Sequence, residues 1–364
     1  MYIRSFAALG HNLSPLEPSL PFEAWDDYWC ARIPSSSILP KEQFEGADAR
    51  YYDKLDLTGK MAVTLVNRLL AQGAKPERVS IGSARGATGI LEQLHGPFAI
   101  GQRIPVHTSP LTTAGNIAAA AVQLNRLEVP SLTVSMTCSS ALHAIIAALE
   151  RMAGKRISEA IVGGVEAPVT QFTRAQFEVL RLLARHSNEQ GSPCKPFAGD
   201  DVNRVVLAEG GALFSLSTQE GPWRIVGWGE AAEHLPTPVS LAGKALRQAM
   251  RLALATVEGT EIDLVIAHAP GTAQGDPEEL AAIRECCGDH PRVVSGKWRT
   301  GHTLGASGAL ALAQALHALE HGFPELDYEP IDNRGFRGVP KRVMVNATGF
   351  GGNAASIIVE RTNG

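Results

Sequence analysis

The chain has 364 residues, 45% of them hydrophobic and 19% charged, an ordinary composition for a folded globular protein. Its 33 basic and 37 acidic side chains leave a net charge of −4, which argues against bulk binding to nucleic acid or an anionic membrane. Its 5 cysteines are an odd number with no C-x-x-C spacing, so they read as reduced thiols of a cytoplasmic protein whose core needs no disulfide or metal staple.

The first residues, Met1-Tyr2-Ile3-Arg4, lack the basic region and apolar run of a signal peptide. No stretch reaches the roughly 18 consecutive apolar residues of a membrane span. Tyr2–Ala8 reads as a strand, and the Pro- and Ser-rich remainder up to residue 50 as irregular structure. Residues 59–73 carry apolar side chains at helical spacing and stop at Gly73. Val79–Gly82 and Leu132–Met136 read as strands, the second followed at once by Cys138. Ala141–Ala153 reads as an amphipathic helix closed near Gly154, and Glu159–Val162 as the next strand.

The later part repeats this theme. Leu264–Ala267 reads as a strand ending at His268, and Val293–Ser295 as one followed by Lys297 and His302. Residues 306–321 form a helix rich in small side chains, stopped at Gly322. Arg342–Asn346 and Ala355–Glu360 are the last strands, separated by Gly349-Phe350-Gly351-Gly352. Strands alternating with helices in both parts predict an α/β duplication, residues 1–220 and 221–364, with the Pro-rich stretch 234–240 at the seam. Reactive residues just beyond strand ends predict a site between the halves.

Cys138 lies in Ser135-Met136-Thr137-Cys138-Ser139-Ser140, at a strand-to-helix junction. A helix N-terminus offers positive partial charge and free N–H groups, which favour thiolate and can hold an oxyanion. A small buried cysteine is also a common core residue. His268 opens a turn running to Gly275-Asp276, and Lys297 precedes His302 by five positions. Neutral imidazoles can donate hydrogen bonds to a thioester or enolate oxygen, and a nearby ammonium keeps them neutral. The spacing of Cys138, His268 and His302 matches no short zinc signature.

Five blocks, in order over residues 79–361, resemble the elongating β-ketoacyl-acyl-carrier-protein synthases of the thiolase fold. They are Thr137-Cys138-Ser139-Ser140, Lys195-Pro196-Phe197 with Glu209-Gly210-Gly211, His268 through Asp276, Lys297 through Gly308, and Asn346 through Asn353. The resemblance implies a duplicated five-layered α-β-α-β-α architecture. It implies Cys138 as the acyl-carrying nucleophile, with His268, His302 and Lys297 as its catalytic companions. The N–H groups of Cys138 and Phe350 would form the oxyanion hole, with Phe350 as a gate. Thr272, Asp276, Glu279 and Gly351 would support the site.

The implied reaction is decarboxylative condensation of a malonyl thioester with the Cys-bound chain, without cofactor or metal. The implied partners are acyl carrier protein bearing acyl or malonyl groups and a second chain, either a copy or a related ketosynthase-like subunit. Arg181 and Arg185, then Arg50 and Lys54, are the candidate docking cations for an acidic carrier. Three departures from the family pattern point to a specialised product: Ala311 in place of an acidic residue, Asp201-Val202-Asn203-Arg204 in the Pro-Phe block, and Thr348 where an aromatic is frequent. Two other readings are an acyltransferase that loads Cys138 without condensing, and a chain-length partner of a heterodimeric synthase.

Overall fold

Alternation of inward and outward side chains along each strand, and apolar stripes along each helix, stack this chain into layers. The computed structural model describes residues 1–11, 22–186, 191–234, 243–257 and 261–362. The first five strands of its main sheet are β1 (Tyr2–Gly10), β2 (Val79–Gly82), β3 (Ser131–Val134), β4 (Glu159–Glu166) and β5 (Gly210–Ser217). The second five are β6 (Trp223–Ala232), β7 (Leu264–Ile266), β8 (Arg292–Val294), β9 (Arg342–Gly349) and β10 (Asn353–Arg361).

The strands run in the order β8-β7-β9-β10-β6-β1-β5-β4-β2-β3. Taken from its own outer edge, each half has its third strand outermost, then its second, fourth, fifth and first. The halves meet where β1 pairs β6 at Tyr2↔Arg224 and Ile3↔Trp223. In each half the second strand lies parallel to the third and fourth, and the fourth pairs antiparallel with the fifth.

Six helices matter for the layers: α1 (Leu57–Ala71), α2 (Asn116–Leu124), α3 (Ser140–Ala153), α4 (Lys244–Leu254), α5 (Gly275–Cys287) and α6 (Ser307–His321). Val162, Phe214, Ile266 and Ile357 point from both halves of the sheet onto α3 and α6 in one central apolar cluster. Ile161 and Leu213 point the other way, onto α1 and α2. Val265 and Ile358 likewise cover α4 and α5. The result is the α-β-α-β-α stack implied by the resemblance.

The two central helices fit by unlike side chains. Helix α3 contributes Leu142, Ile145, Ile146 and Leu149, whereas α6 contributes Ala309, Ala311, Ala313 and Ala315 among its buried residues. At Gly308 a Cβ would stand 2.7 Å from Leu142 Cγ, so only glycine allows this close approach.

The predicted elements are present, most with ends moved by one to three residues. Strand β4 runs four residues beyond the expected Val162. Helix α3 meets Gly154 in an ordinary conformation, and the left-handed residue is Lys155, with φ 54°. The stretch read as irregular contains a hairpin, Glu23–Trp25 and Tyr28–Ala31, which joins Leu207–Ala208 in a second sheet. These strands are too short for alternation to register in sequence. The expected seam lies almost wholly at 235–242, outside the described residues.

The two sheet edges differ. Strand β8 is covered, with Val294 1% exposed, whereas Leu132 in β3 is 40% exposed. Among the described residues no helix is long and apolar enough to cross a membrane.

Candidate active site

Cys138 follows β3 and precedes α3 by one residue, in a turn that side chains hold tightly. Ser140 Oγ donates to Thr137 O at 2.6 Å and accepts from Met136 N at 2.9 Å, while Ser139 Oγ donates to Met136 O at 2.8 Å. Thr137 takes φ 49°, an unfavourable conformation for a β-branched residue. The helix terminus alone predicts a readily formed thiolate, but Cys138 is only 8% exposed. Burial outweighs the attraction of Lys297 and pushes the thiol up to about 12.

His268 leaves the end of β7, and α5 holds its turn. Glu279 accepts from His268 N at 2.8 Å and Ala269 N at 2.7 Å. Asp276 accepts from Phe197 N at 3.0 Å, Gly271 N at 3.1 Å, and both Thr272 N and Thr272 Oγ1 at 2.9 Å. Both carboxyls are raised by burial against these hydrogen bonds, Glu279 to about 7. Lys297 Nζ donates to the His268 carbonyl. Its pKa is lowered by burial, with Glu279 the strongest opposing charge.

His302 lies beyond β8, near the start of α6. Its Nδ1 is 2.8 Å from Ser307 Oγ. The His268 and His302 rings meet edge to face, with centroids 5.3 Å apart. Both imidazoles are held well below the usual histidine range, first by burial and then by Lys297. Each is therefore neutral at physiological pH. Among the described residues His268 Nδ1 is buried without a hydrogen-bond partner, placed to meet a ligand or water.

Cys138, His268 and His302 line one cavity of about 100 Å³, with Thr272, Phe177 and Phe350 also in its wall. Phe350 sits on the turn between β9 and β10, where Gly351 and Gly352 take φ 84° and 79°. Residues far apart in sequence, from Cys138 to Phe350, thus share one apolar, partly enclosed chamber with few polar groups, the usual form of a small-molecule site. Among the described residues no three His, Cys, Asp or Glu side chains are grouped to hold a metal ion.

The docking cations are all exposed, on two segments. Arg50 and Lys54 lie on the helix Gly46–Lys54, and Arg181 and Arg185 follow the helix Gln171–Val179. The atypical Asn203 ties the second pair to the site. It donates to Arg181 O at 3.0 Å and accepts from Ala273 N, in the His268 turn, at 2.9 Å. At a second departure, Ala311 borders a void of about 10 Å³ beside Lys297, and the largest charge facing that lysine is Glu279.

Sequence reasoning missed Glu166, at the end of β4. It is fully buried and accepts from Ser83 Oγ at 2.7 Å, Arg85 N at 3.2 Å, Gly305 N at 3.1 Å and also Ala84 N. It thereby fastens the His302 loop to the nucleophile half. The available signal was a lone carboxylate closing an apolar run at Gly163-Gly164-Val165-Glu166. Ser307, which meets His302, stood unremarked inside a quoted motif.

Comparison with known proteins matches residues 39–220 to the β-ketoacyl synthase N-terminal domain and residues 224–325 to its C-terminal domain. The 3-oxoacyl-[acyl-carrier-protein] synthase 2 of Mycobacterium bovis is 30% identical over 339 residues, 83% of this chain and 80% of that protein. The actinorhodin polyketide β-ketoacyl synthase 1 of Streptomyces coelicolor is 27% identical over 359 residues, 86% of this chain and 76% of that protein. A chain from the solved complex of a ketosynthase with its chain length factor, from Xenorhabdus doucetiae, shares the fold with a TM-score of 0.82 at 20% identity, covering 99% of this chain and 98% of that one.

Proposed function

This chain belongs to the β-ketoacyl synthase family, and on that premise we propose that it extends acyl chains on an acyl carrier protein by decarboxylative condensation. The observation that carries the reading is the single cavity in which a buried thiol meets two neutral imidazoles.

The acyl group passes from the carrier thioester to Cys138 Sγ, and the carrier thiol leaves. A thiol pushed up to about 12 holds little thiolate at rest. Its proton must therefore depart within the step, and a neutral imidazole in the same cavity can take it and return it to the leaving sulfur. N–H groups of Cys138 and Phe350 receive the tetrahedral oxyanion.

A malonyl thioester then enters. In this reading His302 Nδ1, 2.8 Å from Ser307 Oγ, accepts from that hydroxyl, which leaves the proton on Nε2 to be donated to the thioester carbonyl, alongside His268. The bond to the carboxylate breaks, CO₂ departs, and the electron pair becomes an enolate held by these donors. The enolate carbon attacks the Cys138 thioester, the C–S bond breaks, and the β-ketoacyl carrier leaves while Sγ regains a proton. Lys297, backed by Glu279, keeps both histidines neutral.

Residues 1–220 supply the nucleophile and 221–364 the histidines, a division that the repeated strand order supports. Pairing with a second copy or a related subunit is supported by the open edge of β3 and by exposed Phe98, Ile100 and Val106 in the same half. In a pair of unlike subunits, Cys138 makes this chain the catalytic member. Arg181, Arg185, Arg50 and Lys54 receive the acidic carrier. Five unpaired cysteines suit the cytoplasm.

The test is incubation with acyl- and malonyl-carrier protein, reading intact mass and carrier-bound product beside a Cys138→Ala control. Acyl mass on Cys138 and a β-keto product two carbons longer are expected. Acylation without extension favours the transferase reading, and no acylation across several primers overturns the enzyme reading.

A further inference from the structure

The turn that carries Cys138 and the turn that carries Phe350 belong to different halves, and a single hydroxyl joins them. Thr137 Oγ1 donates to the Phe350 carbonyl at 3.1 Å. The contact requires a glycine on the facing strand, because a Cβ at Gly349 would collide with Thr137 Oγ1 and crowd Cys138 N at 3.2 Å. Thr137 also holds φ 49°. Strain of this kind persists where surrounding bonds over-determine it, and it collects at working sites. Ser139 and Ser140 fix the turn from within. The hydroxyl of Thr137 is spent outward, on the other half.

We propose that the Thr137 hydroxyl is a latch that holds the 349–352 turn closed over Cys138 and aims the Phe350 N–H at the acyl oxygen. Thr137 is a positioning residue, acting through Phe350. When the latch opens, Gly351 and Gly352 sit where the chain can swing with least steric cost. Fixing the carbonyl of residue 350 also fixes the orientation of its backbone, so one bond governs both access and oxyanion binding. The inference rests on the reading of Cys138 as nucleophile.

The test uses the full chain with Thr137→Val, Thr137→Ala and Thr137→Ser. Three quantities are read: alkylation of Cys138 by iodoacetamide, amide hydrogen exchange over 349–353, and the kinetics of acyl loading. Losing one hydrogen bond from a loop-opening equilibrium is worth roughly five-fold. Thr137→Val and Thr137→Ala therefore alkylate about that much faster and exchange faster over 349–353. Their kcat for loading falls while KM for the acyl carrier holds. Thr137→Ser stays near the parent in all three.

Opposite signs for alkylation and loading, with rescue by serine, are not what general loosening produces. Parent-like alkylation and exchange in Thr137→Val and Thr137→Ala overturn the latch, and so does a Thr137→Ser variant that behaves like Thr137→Ala. Alkylation and exchange report on the turn whether or not the protein condenses. A latch effect without any condensation therefore sinks the functional reading and leaves the latch standing.

Discussion

The two halves of this chain are twins in topology and unlike in chemistry. In each, the third strand feeds a loop and then a central helix. In the first half that loop carries Cys138; in the second it carries Lys297 and His302. After the second strand, the first half places Ser83–Arg85 and the second places His268. Each half also buries a carboxylate under backbone N–H groups, Glu166 in one and Glu279 in the other. Duplication supplied two equivalent sets of loops, and the thiol and the paired imidazoles stand on separate sets. The helices diverged in the same way, α3 keeping bulk and α6 giving it up.

The largest effects come from separating the two tasks. Cys138→Ala is expected to abolish acyl loading, a loss of roughly 10³-fold or more, yet it keeps both histidines, the donors proposed for the malonyl enolate. It is expected still to release CO₂ from malonyl-carrier protein. His302→Ala loses about 10²–10³-fold in that release, the scale of one oxyanion donor, while Cys138 still accumulates acyl mass. Equal loss of loading and CO₂ release in His302→Ala would break the division of labour.

The second prediction concerns the helices. Gly308→Leu drives a side chain into Leu142 and destabilises the fold by about 1–3 kcal/mol, whereas Leu142→Ala opens a cavity and costs about 2–5 kcal/mol. Denaturant midpoints at constant slope measure both. A neutral Gly308→Leu would mean the helices tolerate more separation than their contact implies.

The smallest effect is a pH dependence. Both histidines lie well below their ordinary range, so acidification through 6.5 does not protonate them in the folded protein. Glu279, raised to about 7, does change, and its charge facing Lys297 is lost as the pH falls through that value. A decline in kcat below pH 7 is expected that Glu279→Gln flattens. The depressed histidines contribute a loss of stability as pH falls below about 6.5, because the unfolded chain then binds protons the native one refuses. The raised Glu279 contributes in the opposite direction, its native carboxyl binding a proton before the unfolded one does. A decline that survives in Glu279→Gln assigns the limb elsewhere.

Cys138, His268 and His302 were legible because each stands just past a strand end among small residues. Their convergence was not, since it depends on how two halves face each other. Glu166 left only the faint signal of a lone acid closing an apolar run, because its worth lies in four donors from two distant segments. Strand β5 escaped for a different reason. All eight of its residues are buried, so no alternation marks it. The thiol was misjudged because a helix terminus can be read from sequence, whereas burial cannot.

The unequal sheet edges bear on how the protein is handled. Strand β3 ends the main sheet with an exposed Leu132, and such an edge strand is a template for another chain. Whatever covers that edge binds the native form and not the unfolded one, so apparent stability depends on how much of it is present. Dilution below the dissociation constant of such a pair would lower the melting temperature without any change of sequence or solvent. Stability measured at one protein concentration then belongs to that concentration, and a variant can look fragile merely because less of it was made.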